Sequence, residues 1–322
     1  MRQIVCGLAS AGLMAATLQP IAAEQWPSRP VTVIVSQSAG GISDVVTRAF
    51  TAKLHEKFGQ PFVVENRPGA EGMNAAHACA QSKPDGYTIC IMSASPSVWN
   101  RIMHKSVPFD PDKDFAPITN LFTITGVLGV NASLGIKSLK QLVEHSKANP
   151  GKMSYATISA LATLFMEQFK RDTGADLVAV PFRGGGEAVV AVLHNHTQVG
   201  IFGLGNFVPH LKSGKVIALA KDGVGRLKDF PDIPTFPEAG YDGDRARSWF
   251  GVFAPAGMSP DIIQTLNKAF KDIGSPPDFQ QTIFYNRGIE PAFTSPEDFA
   301  KEIIEDRVVA ERIAKAGGVK PQ

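Results

Sequence analysis

The sequence predicts an α/β fold of two lobes with a cleft between them, and three observations predict it. Short β-branched runs alternate with amphipathic segments of helical period along most of the 322 residues, the pattern of βαβ units. That length suits two domains of ordinary size. Two strand-to-helix junctions are marked by glycines: Val31-Thr-Val-Ile-Val-Ser-Gln-Ser-Ala-Gly40-Gly41-Ile-Ser43-Asp44 and Val178-Ala-Val-Pro-Phe182-Arg183-Gly184-Gly185-Gly186. Such junctions aim unpaired backbone N–H groups and the positive end of a helix at an anion.

In chain order, Met1-Arg2 followed by the uncharged run Ile4 to Leu18 and by Ile21-Ala22-Ala23 reads as a signal peptide cleaved after Ala23. Val31–Ser36 is a strand, and Ser43–Phe58 a helix with Val46, Phe50 and Leu54 on one face. Phe62–Glu65 is a strand, Met73–Ala80 a helix, and Thr88–Ser93 a strand after the turn Pro84-Asp-Gly86. Phe115 opens a strand that runs on through Thr125–Val130. Helix Ser138–Ala148 ends at Asn149-Pro150-Gly151, because a residue before proline is pushed out of the helical region.

Strand Met153–Ala156, helix Leu161–Arg171, strand Leu177–Val180, helix Glu187–His194 and strand Val199–Phe202 continue the alternation. Parallel sheets with helices on both faces are the expected product. Phe250–Ala254 is a strand, and helices follow over Asp261–Ile273, Pro277–Asn286 and Pro296–Ala316. The tail is expected to cross back to the first lobe. That places residues 24–122 and 241–322 in lobe 1 and 123–240 in lobe 2, with hinge crossings near 121–125 and 240–248.

A formal charge of +2 argues against steering toward nucleic acid or an anionic membrane. Cys79 and Cys90, two cysteines in an exported chain, are expected to form a disulfide, with two buried thiols as the alternative. No metal is expected: His194-Asn-His196 follows a helix, where histidines cap carbonyls. No enzyme is expected either, since G-x-S-x-G, H-E-x-x-H and a Walker lysine are all missing from the sequence. No cofactor is expected.

The candidate binding residues follow from the junctions. Ser38, Gly40, Gly41 and Ser43 offer amides and a hydroxyl. Asp44 complements the helix dipole and is suited to an ammonium only. Ser95, with Ser93 and Ser97, lies where a cleft floor belongs, as does Asn206. Gly184 opens the second glycine junction. Arg183 is suited to a second carboxylate or to a salt bridge with Glu187.

The segments Trp26-Pro-Ser-Arg29-Pro, Ala39-Gly-Gly-Ile-Ser-Asp44, Val63-Val-Glu-Asn-Arg-Pro-Gly-Ala70 and Pro84-Asp-Gly-Tyr-Thr88 recur in a known order. So do Phe109-Asp-Pro-Asp-Lys-Asp-Phe115, Val180-Pro-Phe-Arg-Gly-Gly-Gly186, Pro231-Asp-Ile-Pro-Thr-Phe-Pro-Glu-Ala-Gly240 and Trp249-Phe-Gly-Val-Phe-Ala-Pro-Ala-Gly257. Through them the chain resembles the Bug-type (Bordetella uptake gene) receptors of tripartite tricarboxylate transporters.

The resemblance implies a periplasmic, monomeric binding protein of the Venus-flytrap type. It would deliver a small carboxylate to a membrane permease, or report it to a membrane kinase. It also implies a second anchoring loop at Thr157-Ile-Ser159-Ala160. Many relatives carry Gly-x-Gly-Ser and a later His there; this chain has Thr157, Ser159 and Thr163 among apolar neighbours. That departure leans toward an aromatic carboxylate such as terephthalate, with Phe182 or Phe207 stacking on the ring. An aliphatic di- or tricarboxylate or an amino acid is the alternative.

Overall fold

The computed structural model describes residues 26–182, 184–223, 226–244 and 246–321; the segment expected to be a signal peptide and Arg183 lie outside them. Eleven strands among these residues form two sheets. The first holds β1 (Val31–Val35), β2 (Phe62–Asn66), β3 (Thr88–Ser93) and β4 (Phe115–Ile124). The second holds β5 (Gly126–Asn131), β6 (Ser154–Thr157), β7 (Val178–Pro181), β8 (Val199–Gly203) and β9 (Val216–Lys221). β10 (Ser248–Pro255) and β11 (Ile289–Pro291) return to the first sheet.

The strand orders are β11-β4-β10-β3-β1-β2 and β7-β6-β8-β5-β9. Neither sheet is all-parallel, contrary to the sequence expectation. β10 runs antiparallel to both β3 and β4, and β5 antiparallel to β8 and β9. In the first sheet the reversed strand is β10, which returns after β9; in the second it is β5, and there the reason lies at Thr125, where the expected continuous strand breaks in two. β4 ends one residue before it in the first sheet and β5 begins one residue after it in the second. A strand handed between sheets without a helical crossover enters against its new neighbours.

Helices cover both faces: α1 (Ile42–Phe58), α2 (Met73–Ala80), α3 (Asn100–Met103), α4 (Leu139–Ala148), α5 (Ala160–Thr173), α6 (Gly185–Leu193) and α7 (Val208–Lys212). α8 (Pro260–Gly274), α9 (Pro277–Ile283) and α10 (Pro296–Ala316) follow. Because side chains alternate across a strand, β1 sends Val31, Val33 and Val35 to one core and Ile34 to the other; β3 divides Ile89 and Ile91 from Cys90 and Met92. Burial on both faces explains why these strands read as unbroken apolar runs.

α1 shows the same logic at helical period. Val46, Phe50 and Leu54 are fully buried on one face, and Phe50 meets the rings of Phe270, Phe279, Phe284 and Phe293. Gly59 ends the helix at φ +71°, in the left-handed region that glycine enters without strain, its N–H donating to the His55 carbonyl. Cys79 at the end of α2 and Cys90 in β3 form a disulfide inside the second core of the first lobe.

Candidate functional site

The parallel strands β1, β3, β6 and β8 all point their carboxyl ends at one cleft between the sheets, where ligands bind in open α/β folds. Its inner compartment, of about 820 Å³, is lined from lobe 1 by Ser93, Ser95, Trp99, Phe250 and Ile289, and from lobe 2 by Ile158, Ser159, Phe165, Phe202 and Asn206. A second compartment of about 1130 Å³ adjoins it and reaches Ser38, Gly41, Glu71, Gly184 and Gly185. Gln37, Ser95, Trp99, Ser159 and Leu161 belong to both. The volume is that of a small-molecule site.

The junction before α1 does not present the open amides that its glycines announce. Gly40, at φ +81°, donates its N–H to Asp44 Oδ2 (2.9 Å), and the Gly41 N–H goes to the Ser38 carbonyl (3.1 Å). Ser43 is fully buried, and its hydroxyl donates to Gln37 Oε1 (2.8 Å). Asp44 is buried too, accepting from Arg48 Nε (3.0 Å) and Asn66 Nδ2 (2.9 Å). Burial pushes its carboxyl up, but the bonds from Arg48, Gly40 and Asn66 outweigh that and hold it below the ordinary range. Ser43 and Asp44 therefore brace the loop from behind; Ser38 and Gly41 line the cleft.

The second loop divides similarly. Thr157 is buried and its hydroxyl donates to the Ser159 carbonyl (3.2 Å), away from the cleft. Ser159 lines both compartments while its Oγ accepts the Ala162 N–H as N-cap of α5 (3.2 Å). Ala160 contributes the first backbone position of that helix. Of the serines expected on the floor, Ser93 and Ser95 line the cleft, but Ser97 is turned into the core.

Phe182 sits at the edge of the second lobe's core, and Phe207 is fully buried within it, stacked on Phe202 at 4.4 Å. Phe207 is thus not a stacking platform; of this stacked pair it is Phe202 that lines the cleft. Gly184 is the N-cap of α6 and lines the outer compartment. Asn206 Oδ1 occupies the space where Gly185 has no Cβ, so the asparagine side chain packs onto the start of α6.

Sequence reasoning missed Gln37, Trp99, Phe165, Phe250 and Arg247. Trp99 ends a π-helical turn over Ser95–Trp99, a rare geometry that clusters at functional sites. No sequence signal marks such a turn. Arg247 lines the inner compartment, but its Nε and Nη2 are held by Asp306 (2.6 Å) and Glu305 (3.1 Å), so its charge is balanced locally. Asp222, Ser248 and Arg287 also line this compartment, and the rest of its walls are apolar: Ile42, Trp99, Ile124, Ile158, Leu161, Phe165, Phe202 and Phe250. Among the described residues no cluster of His, Cys, Asp or Glu is arranged to hold a metal ion.

Two α/β lobes joined by single-strand crossings, with an apolar cleft at the strand ends, define a solute-binding receptor. Residues 46–319 match the tripartite tricarboxylate transporter family receptor profile, and the chain belongs to that family. It is 36% identical to the Bordetella pertussis protein BugT over 264 residues, 81% of this chain and 80% of BugT. Among solved structures it is similar to an R. palustris protein solved with adipate (TM-score 0.77, 30% identity, covering 92% of this chain and 100% of that one). It is also similar to MatC from Rhodopseudomonas palustris with bound malate (TM-score 0.71, 28% identity, 89% and 99% covered). The family is one of receptors rather than enzymes, and the chain is also similar to the periplasmic binding protein BugD (TM-score 0.73, 27% identity, 92% and 100% covered).

Proposed function

We propose that the protein captures a small carboxylate with an apolar body, an aromatic acid foremost, in the cleft between its lobes. Periplasmic and monomeric after removal of its leader, it then presents the closed form to a tripartite tricarboxylate permease. The observation that carries this reading is the cleft lining: neutral polar groups at the strand ends (Gln37, Ser93, Ser95, Ser159, Asn206) beside the aromatic rings of Trp99, Phe165, Phe202 and Phe250, with Asp222, Arg247 and Arg287 as its charged members.

Neutral donors take one carboxylate, and apolar walls take a ring or an alkyl chain. A citrate-like ligand, polar all round, would leave the groups that meet the aromatic walls without partners. The adipate carried by the R. palustris neighbour favours one second reading, an aliphatic dicarboxylate with a long apolar middle.

Thermal-shift titration of the purified protein against benzoate, terephthalate, nicotinate, adipate, malate, citrate and glutamate tests it, because a ligand that binds only the native state raises the melting temperature. Aromatic acids should give the largest shifts. A shift with adipate alone selects the second reading, and a shift with citrate or glutamate alone sinks the apolar-body requirement.

A further inference from the structure

Gln37 follows β1 and lines both compartments of the cleft. The Ser43 backbone N–H (3.4 Å) and the Ser43 hydroxyl (2.8 Å) both converge on Gln37 Oε1. A backbone N–H can only donate, so the oxygen of the side-chain amide must face α1 and the NH2 must face the other way. Asn66 Nδ2 grips the Gln37 carbonyl from β2 (2.9 Å), fixing the main chain at this point. Gly41 gives the side chain room: a Cβ there would stand 3.3 Å from Gln37 Oε1. Among the described residues no protein group accepts from Gln37 Nε2. The two glycine amides and the Ser43 hydroxyl near it are spent on the loop itself: Gly40 on Asp44, Gly41 on Ser38, and Ser43 on Gln37.

From this arrangement we infer that Gln37 is a specificity-determining residue, its oriented NH2 donating to a carboxylate oxygen of the bound solute. The inference rests on the carboxylate reading above and names the contact that reading needs in lobe 1. A neutral amide brings no countercharge, so it recognises by the direction and number of its hydrogen bonds. Ser43 is the positioning residue behind it, buried and out of reach of the solute. A glutamate at position 37 keeps the shape and still accepts both bonds from Ser43. It offers the cleft only an acceptor, which repels a carboxylate and suits the NH2 of a carboxamide.

The test is calorimetric titration of the wild type, Gln37→Glu and Gln37→Met with benzoate, nicotinate and adipate, and with benzamide, nicotinamide and adipamide. The acid bound by the wild type should weaken roughly tenfold or more in both variants, as expected for a lost hydrogen bond to a charged group. In Gln37→Glu alone the preference should turn toward the carboxamide. In the wild type, adding that acid should shift the Gln37 side-chain amide resonances; this reading needs no variant and decides the matter if the substitutions prevent folding. Acid affinities within about threefold of wild type in both variants, or unmoved resonances on saturation, overturn the role of Gln37 and leave the carboxylate reading intact. A wild type that binds none of the acids overturns that reading, and the role of Gln37 falls with it.

Discussion

Gly205 and Gly288 meet backbone to backbone across the two lobes, on the floor of the cleft. A Cβ on Gly288 would stand 2.6 Å from the Gly205 amide nitrogen, and one on Gly205 would collide with the Arg287 carbonyl oxygen. Gly288 lies at φ +64°, so a side chain there also strains the backbone. Gly205 is not at positive φ and isolates the steric effect.

Gly205→Ala should wedge the lobes apart at this contact and cost affinity through the population of the closed form, without touching a solute-binding group. Small-angle scattering with and without saturating solute checks it. The variant should show a larger radius of gyration and a several-fold weaker dissociation constant. An unchanged radius together with unchanged affinity would remove the glycine contact from the closing motion.

Asp44 predicts the acid limb of the stability curve. Its folded-state pKa lies below the ordinary value of 3.8. Its contribution is therefore complete above that value and is lost as pH falls through the folded one. Asp44→Asn should cost about 1–3 kcal/mol in urea denaturation at pH 7, since it removes a buried acceptor from Arg48 and Gly40. The gap to wild type should narrow below pH 3.8, where the native carboxyl itself protonates. A gap independent of pH would mean that the charge of Asp44 is not what braces the loop.

Asp306 titrates in the opposite sense. Burial pushes its carboxyl up, against hydrogen bonds from Arg247 and Trp249 Nε1 (2.7 Å). Its ionisation thus disfavours the fold: its contribution is complete below the ordinary 3.8 and declines as pH rises through the folded value. Removing the side chain is worse than keeping it, because it strands the buried Trp249 N–H and takes one carboxylate from Arg247. Asp306→Ala should lower stability by about 3 kcal/mol in chemical denaturation at neutral pH. A loss under about 1 kcal/mol would show that solvent replaces the carboxylate.

The Cys79–Cys90 bridge joins residues 11 apart in sequence, so it removes loop entropy from the unfolded chain by about 2–3 kcal/mol. The Cys79→Ala, Cys90→Ala double variant should melt lower than the wild type in a non-reducing scan. Its solute affinity should be unchanged, since both residues lie in the core rather than the cleft. A change in affinity without a change in melting temperature would contradict that placement.

The elements were legible because their periods are local. The buried face of α1, the apolar runs β1 and β3, and the proline-led start of α10 each declare themselves within a few residues. β9 and β11 were not read from the sequence: β9 spans six residues between Gly214 and Gly223 without strict alternation, and the three residues of β11 carry too little pattern to separate from loop.

In the site, glycines and serines marked the right loops but not the right atoms. A hydroxyl beside a glycine turn reads the same whether it faces solute or its own backbone. For Ser43 and Thr157 the structure turns it inward, and for Ser95 outward.

By itself the sequence determined the α/β class, the pair of strand-to-helix mouths and the family, all properties of residues near one another in the chain or of motifs in order. Only the tertiary structure decided that Thr125 passes the chain from one sheet to the other, that Gly205 touches Gly288, and that Gln37 turns its NH2 to the cleft. These are contacts between distant segments, or choices among side-chain partners. They are settled by packing and by the need of each buried donor and acceptor to find its mate, and no local pattern encodes them.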